Sequence, residues 1–189
     1  MRRSHAGIRI ILRVVLPISL DKDRLGIGFI FMIEYIWHEA ASFEGLHPIM
    51  QVSGVCFDEL GRILLLKQTD KPGTRWNIPG GHPEAGETPD QTLIREVYEE
   101  TTVHVGEASM IGYQEVVEAG KPIIYQLRYA ALVGRVDPSQ IDPAKGTIHE
   151  RLFVSPEDAM HYIVYPQYRE MFEAAVRWFE STRRHRSTQ

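Results

Sequence analysis

Apolar and polar positions change their period several times along this chain, and the changes mark the elements. "IMQVSGVCFD" (49–58) and "ILLLKQ" (63–68) are short β-type runs either side of a polar turn, "DELGR". Together they predict a hairpin. "HVGEASMIGYQEVV" and "KPIIYQLRYAALVGRV" predict two long strands joined at "EAGKP", and "ERLFVS" a further one. In "YQLRYAALV", Tyr125, Leu127 and Tyr129 fall on one sheet face, while Gln126 and Arg128 fall on the other.

Two segments switch to helical spacing. Thr88, Pro89 and Gln91 read as an N-cap, a first-turn proline and a capping-box partner, so a helix should begin at Pro89. Leu93, Ile94, Val97, Tyr98 and Thr101 then form its apolar side, with Arg95, Glu96, Glu99 and Glu100 opposite. Residues 166–180 place Tyr168, Met171, Phe172, Ala175, Val176 and Phe179 on one stripe, the pattern of a packing helix. "SPEDAMHYI" adds a short helix capped by Ser155, and "VDPSQIDPAKG" reads as a proline-rich loop. The order of strands, helix, strands and helices predicts an α/β sandwich on a mixed sheet.

The N-terminal region (1–47) is harder to place. Two greasy runs, "IRIILRVVLPISL" and "LGIGFIFMIEYIW", flank the charged "DKDR". Two extra strands joined by a charged turn, packed on the main domain or on a second subunit, are one reading. A cleaved secretory signal is another, opposed by Arg13 and Pro17 inside the apolar run. Translation from Met32 is a third.

Composition narrows the function. A net charge of −4 gives no reason to expect nucleic-acid binding. No run approaches the roughly 20 apolar residues of a membrane span. Arg183, Arg184 and Arg186 read as a solvated basic tail (183–189). Cys56 is the single cysteine, which rules out an internal disulfide and fits a reducing, cytoplasmic setting.

The chemistry concentrates in "GGHPEAGETPDQTLIREVYEETTV". Like charges at helical spacing repel, so Glu96, Glu99 and Glu100 together need either open water or a cation to hold. Oxygen-only ligands of this kind suit Mg2+ or Mn2+. Gly80 and Gly81 let backbone approach a ligand, and a loop carbonyl there could add an oxygen. Arg95 is placed to hold a carboxylate in position. A lone acidic helix face is ordinarily surface charge; the surrounding glycines, Glu87 and the cap argue for more.

These positions resemble the signature of the Nudix hydrolases, GX5EX7REUXEEXGU, where U is a bulky apolar residue. Gly81, Glu87, Arg95, Glu96, Val97, Glu99, Glu100 and Val103 stand at the matching places, and "WNIPGG" is similar to the usual lead-in. The resemblance covers roughly residues 48–177. It implies an α/β/α sandwich around a mixed sheet, with a domain at 48–182 and an N-terminal extension. It also implies hydrolysis of a nucleoside diphosphate linked to another moiety: an NTP, an oxidised nucleotide, ADP-ribose or a nucleotide sugar.

Carried onto this chain, Gly80, Glu96, Glu99 and Glu100 would hold the metal, with Glu87 and Arg95 orienting them and Glu96 acting as base. Glu118 and Glu150 are later candidates for that base. Trp76, His82 and Arg128 are candidate substrate contacts. The family's downstream markers for ADP-ribose or diadenosine polyphosphates are unmatched, Ala119 and Gly120 occupying that neighbourhood. Markers for coenzyme A and NADH are absent as well. A non-catalytic nucleotide-binding module is the rival reading; such a module would be expected to lose box carboxylates, and all four are retained. The free strand edges of an N-terminal extension favour a homodimer.

Thr102 departs from the signature's second glycine. A β-branched residue disfavours the left-handed conformation, so the helix is expected to end differently here.

Overall fold

The computed structural model describes residues 8–15, 30–69, 73–163 and 165–187, with side chains from residue 33 onward. Its strands are β1 (Ile8–Val15), β2 (Ile30–Glu39), β3 (Ile49–Phe57), β4 (Ile63–Gln68), β5 (Gly80–Gly81), β6 (Val103–Glu118), β7 (Ile124–Val136) and β8 (His149–Val154). Its helices are α1 (Pro89–Thr101), α2 (Pro156–Tyr162) and α3 (Arg169–Arg186), the last preceded by a 3-10 turn, Pro166–Tyr168.

The strands form one mixed sheet in the order β1-β2-β6-β7-β3-β4-β8, with β5 paired to β3. β3 and β7 run parallel at its centre, and the other pairs are antiparallel. Alternation sends neighbouring residues to opposite faces. Val52, Leu64 and Leu127 pack with Leu93 and Val97 of α1. Val55, Phe57, Ile63 and Leu65 pack with Met171, Phe172, Ala175 and Phe179 of α3. The expected α/β/α sandwich is therefore present.

The expected hairpin of β3 and β4 is reduced to one rung, Phe57 opposite Ile63. Asp58 closes its turn by accepting from the Leu60 and Arg62 N–H groups. Beyond it the strands part, because β4 pairs along its whole length with β8. Val52 and Ser53 are thereby left to pair with Gly81 and Gly80. That divergence draws the glycine pair onto the central strand, beside α1.

The N-terminal runs give the two-strand outcome: β1 pairs with β2, and β2 with β6. Trp37 on β2 is 4% exposed and joins the α3-side core. The charged "DKDR" lies outside the described residues. The basic tail is helical rather than frayed through Arg186, which pairs with Glu107 at 2.9 Å.

Candidate active site

Helix α1 begins where its local chemistry predicts. The Thr88 side chain accepts from the Gln91 N–H, and the Gln91 side chain accepts from the Thr88 N–H. Leu93 and Val97 are buried, but Ile94, expected in the core, is 52% exposed. The stripe is narrower than the sequence suggested because the buried side turns toward Glu100, which is only 7% exposed.

Above the other side, Arg95 gathers the box carboxylates. Its Nε donates to Glu87 Oε1 at 2.7 Å and Nη2 to Glu87 Oε2 at 2.9 Å, a bidentate pair. Nη1 reaches Glu96 Oε1 at 2.9 Å and Glu99 Oε2 at 3.1 Å. Nη2 also donates to the His82 carbonyl, tying helix to loop. The guanidinium, with the Glu84 N–H and the Thr92 hydroxyl, holds the Glu87 carboxyl down at about 2. The same bonds push Arg95 above its usual value. Glu96 and Glu99 each spend one oxygen on Arg95, and among the described residues no hydrogen bond holds the other.

The glycines have steric reasons to be there. A Cβ on Gly81 would sit 2.2 Å from Glu96 Oε1. At Gly80, φ is 153° and a Cβ would lie 2.4 Å from the Val52 carbonyl oxygen. A residue without a side chain at 81 lets the Glu96 carboxylate rest against this backbone, and one at 80 lets the loop lie close on β3.

Glu100 behaves differently from its neighbours. Its Oε2 accepts from the Gly80 N–H at 2.8 Å, and its Oε1 pairs with Lys145. Burial raises its pKa against the pull of both contacts. Lys145 arrives from the loop between β7 and β8, which the sequence marked only as proline-rich. Asp142 and His149, 3.0 Å apart, lie beside it and are buried. Nothing in the local pattern singled out these three residues.

The donor set fits a hard divalent ion. Glu87, Glu96 and Glu99 gather on Arg95, Glu100 follows on the next position of α1 against Lys145, and the donors these side chains offer are oxygens.

The other expected residues disperse. His82 is exposed on the glycine loop. Trp76 is half-buried, packed on the α3-side core and edge-on to Tyr162 at 5.8 Å. Glu118 is paired with Lys121 at 2.8 Å, and Glu150 is exposed on β8 opposite Lys67; neither joins the Arg95 cluster. Arg128 needs correction: it is fully buried rather than offered to phosphate. Its donors are spent on Gln51, Ser53, Gln114 and Gln126, and Tyr168 lies across its guanidinium at 5.5 Å.

Comparison with known proteins identifies the family. The family model of the NUDIX domain matches residues 47–175. A MutT-like protein of Streptomyces ambofaciens is 36% identical over 101 residues, 53% of this chain and 58% of that protein. An ADP-ribose pyrophosphatase of Methanocaldococcus jannaschii is 35% identical over 68 residues, 35% of this chain and 40% of its own. The chain thus spans about half the length of these curated relatives. The solved structure of a Nudix hydrolase from Nitrosomonas europaea superposes with a TM-score of 0.55 at 21% identity, over 67% of this chain and 87% of that one. The family match covers most of the chain and includes every glutamate of the Arg95 cluster, and the fold agrees: this chain belongs to the Nudix family.

Proposed function

We propose that the protein is a Mg2+- or Mn2+-dependent pyrophosphohydrolase acting on a nucleoside diphosphate linked to another moiety. NTPs, oxidised nucleotides, ADP-ribose and nucleotide sugars are the substrate classes. One observation carries the reading: Glu96 and Glu99 are each anchored by one oxygen to Arg95, and the Glu96 carboxylate rests against the Gly81 backbone.

The Gly80 carbonyl, Glu96, Glu99 and Glu100 would hold a divalent ion, which when bound would neutralise charge at the diphosphate and supply a water of lowered pKa. The protein's own residues do the rest. Arg95, fixed bidentately by Glu87, sets the directions of Glu96 and Glu99. Glu96 is the base that takes the proton from the attacking water. A bond from water oxygen to phosphorus forms, the bridging P–O bond breaks, and the leaving phosphate carries away the electron pair. Trp76 and His82 contact the nucleotide from the loop before α1.

Glu99→Gln is expected to lower Mg2+-dependent turnover by about three orders of magnitude, the scale of losing one transition-state charge partner. Chelation should abolish the wild-type rate. Nucleoside triphosphates, oxidised nucleotides and nucleotide sugars are the panel, with phosphate and pyrophosphate release measured separately. Glu100→Gln retaining wild-type rates on every active substrate would overturn the mechanism.

The setting we propose is cytoplasmic, where a free thiol such as Cys56 persists; burial pushes that thiol up to about 12 and leaves it inert. Among the described residues, no helix is long and apolar enough to cross a membrane. β1 stands at the outer edge of the sheet, which supports a homodimer readable by size exclusion with light scattering.

A further inference from the structure

We propose that Lys145 is a built-in counter-cation for Glu100, which must withdraw before a divalent ion can take that carboxylate, and that it thereby sets the affinity of the site for its metal. The inference rests on the reading of Glu96, Glu99 and Glu100 as ligands. Glu100 is the one member of that set with both oxygens already committed, to Gly80 and to Lys145. Its side chain is 5% exposed, so its charge must be balanced at all times. Lys145 remains 38% exposed and has an open path to water.

The ammonium is not an incidental surface partner, because the turn beneath it is built to present it. Asp142 Oδ1 accepts from the Ala144 N–H at 2.8 Å and the Lys145 N–H at 3.0 Å. The Gly146 N–H donates to the Asp142 carbonyl at 2.8 Å, and the Asp142 N–H to the Thr147 carbonyl at 2.8 Å. Gly146 takes φ 68°, which lets the chain double back toward β8. On the far side, Asp142 Oδ2 is held by His149 Nε2 at 3.0 Å and lies 3.6 Å from Lys145 Nζ.

The same residues invite a second interpretation. Ligand atoms of Glu100, Asp142 and His149 lie within 4.8 Å of one another, as they would around an ion. Both carboxylate oxygens of Asp142 are, however, occupied by its own turn and by His149, and Lys145 already supplies a positive charge. Asp142 and His149 are the frame, and Lys145 is what they hold.

Mn2+ binding, followed by the loss of the free-ion paramagnetic resonance signal, tests this without reference to turnover. Lys145→Met is expected to bind Mn2+ at least tenfold more tightly than wild type, and Lys145→Arg within threefold of it. In a Glu100→Gln background the Lys145→Met gain should vanish, which a merely structural lysine would not produce. Should Lys145→Met fold poorly, the Lys145 ammonium resonance of the wild-type protein is the second measurement. It should shift on Mg2+ addition and stay put in Glu99→Gln. Unchanged or weaker Mn2+ binding in Lys145→Met, with wild-type binding still lost in Glu99→Gln, would overturn the role of Lys145 and leave the metal site standing. No binding by any variant would overturn both. Loss of binding in His149→Gln as complete as in Glu99→Gln would make His149 a ligand and overturn the counter-cation assignment.

Discussion

Two arginines, one on each side of the central sheet, organise hydrogen-bond networks of similar size and opposite character. Arg95 stands half-buried midway along α1 and pairs with Glu87, Glu96 and Glu99. Arg128 is wholly buried under Tyr168, and each of its hydrogen-bond partners is a neutral amide or hydroxyl. Burial pulls the Arg128 pKa down, whereas its carboxylates push that of Arg95 up. A guanidinium among acids near water organises charges that a ligand can use. A guanidinium among amides in the interior holds strands β3, β6 and β7 to the segment that covers them, because Gln114 also donates to the Gln167 carbonyl at 2.7 Å.

Removing each arginine should therefore fail differently. Arg95→Ala releases three carboxylates from fixed directions, and turnover should fall by about two to three orders of magnitude. The thermal midpoint should move by only a few degrees, since partly exposed ion pairs add little to stability. Arg128→Ala leaves Ser53 and Gln114 with unpaired acceptors in the interior, each costing about 1–3 kcal/mol before water or rearrangement relieves it, and also unpairs the half-buried Gln51 and Gln126. A loss near 3 kcal/mol in urea denaturation is expected, with the rate per folded molecule largely kept. If Arg128→Ala instead kept full stability and lost turnover, Arg128 would return to the substrate set.

Acid separates the networks more gently. Glu87 is held at about 2 in the folded state, chiefly by Arg95, against about 4.3 in the unfolded chain. A depressed carboxylate contributes stability that is complete above the unfolded value and lost as pH falls through the folded one. Wild-type stability should thus decline between about pH 4.3 and pH 2, and Glu87→Gln should flatten that decline. The partners of Arg128 do not titrate, so that network contributes no slope there. An equal acid slope in Glu87→Gln would show that the decline arises elsewhere.

What could be read from the sequence divides along the same line. The cap at Thr88, the start of α1 and the Arg95–Glu99 spacing are local, and local rules place them correctly. The depth of Arg128 was not local: alternation put it on the proper face, but its exposure was decided by the 3-10 turn and α3 laid over it. Lys145 meets Glu100 across 45 residues of sequence, through a turn with no periodic signature. Ile94 and Glu100 were misplaced for a related reason. The helical wheel gives the order of residues around α1, and β5, β8 and the Lys145 loop decide where the buried arc begins.

Thr102 is the smallest test of the difference between local preference and tertiary context. The expectation that threonine would displace the helix end was wrong: α1 stops at Thr101, and Thr102 takes φ 53°, ψ 29°, the left-handed conformation a glycine would adopt. That conformation costs a β-branched residue about 1–2 kcal/mol. Offsetting contacts surround it. The Thr102 N–H donates to the Tyr98 carbonyl at 2.7 Å, and its carbonyl accepts from the Asp137 N–H at 2.9 Å. Its hydroxyl lies 3.0 Å from the Asp137 carbonyl and accepts from Arg151. Thr102→Gly would keep the backbone bonds, relieve the strain and lose the hydroxyl, whose net worth is about 1 kcal/mol. The two changes nearly cancel, so stability should move by less than about 1 kcal/mol and kcat/KM by less than threefold. The turns of α1 that carry the proposed ligands precede this residue, which is why its chemistry should be indifferent to the exchange. A gain of two orders of magnitude in turnover would show that the helix exit, and not the Arg95 cluster alone, sets the geometry of the carboxylates.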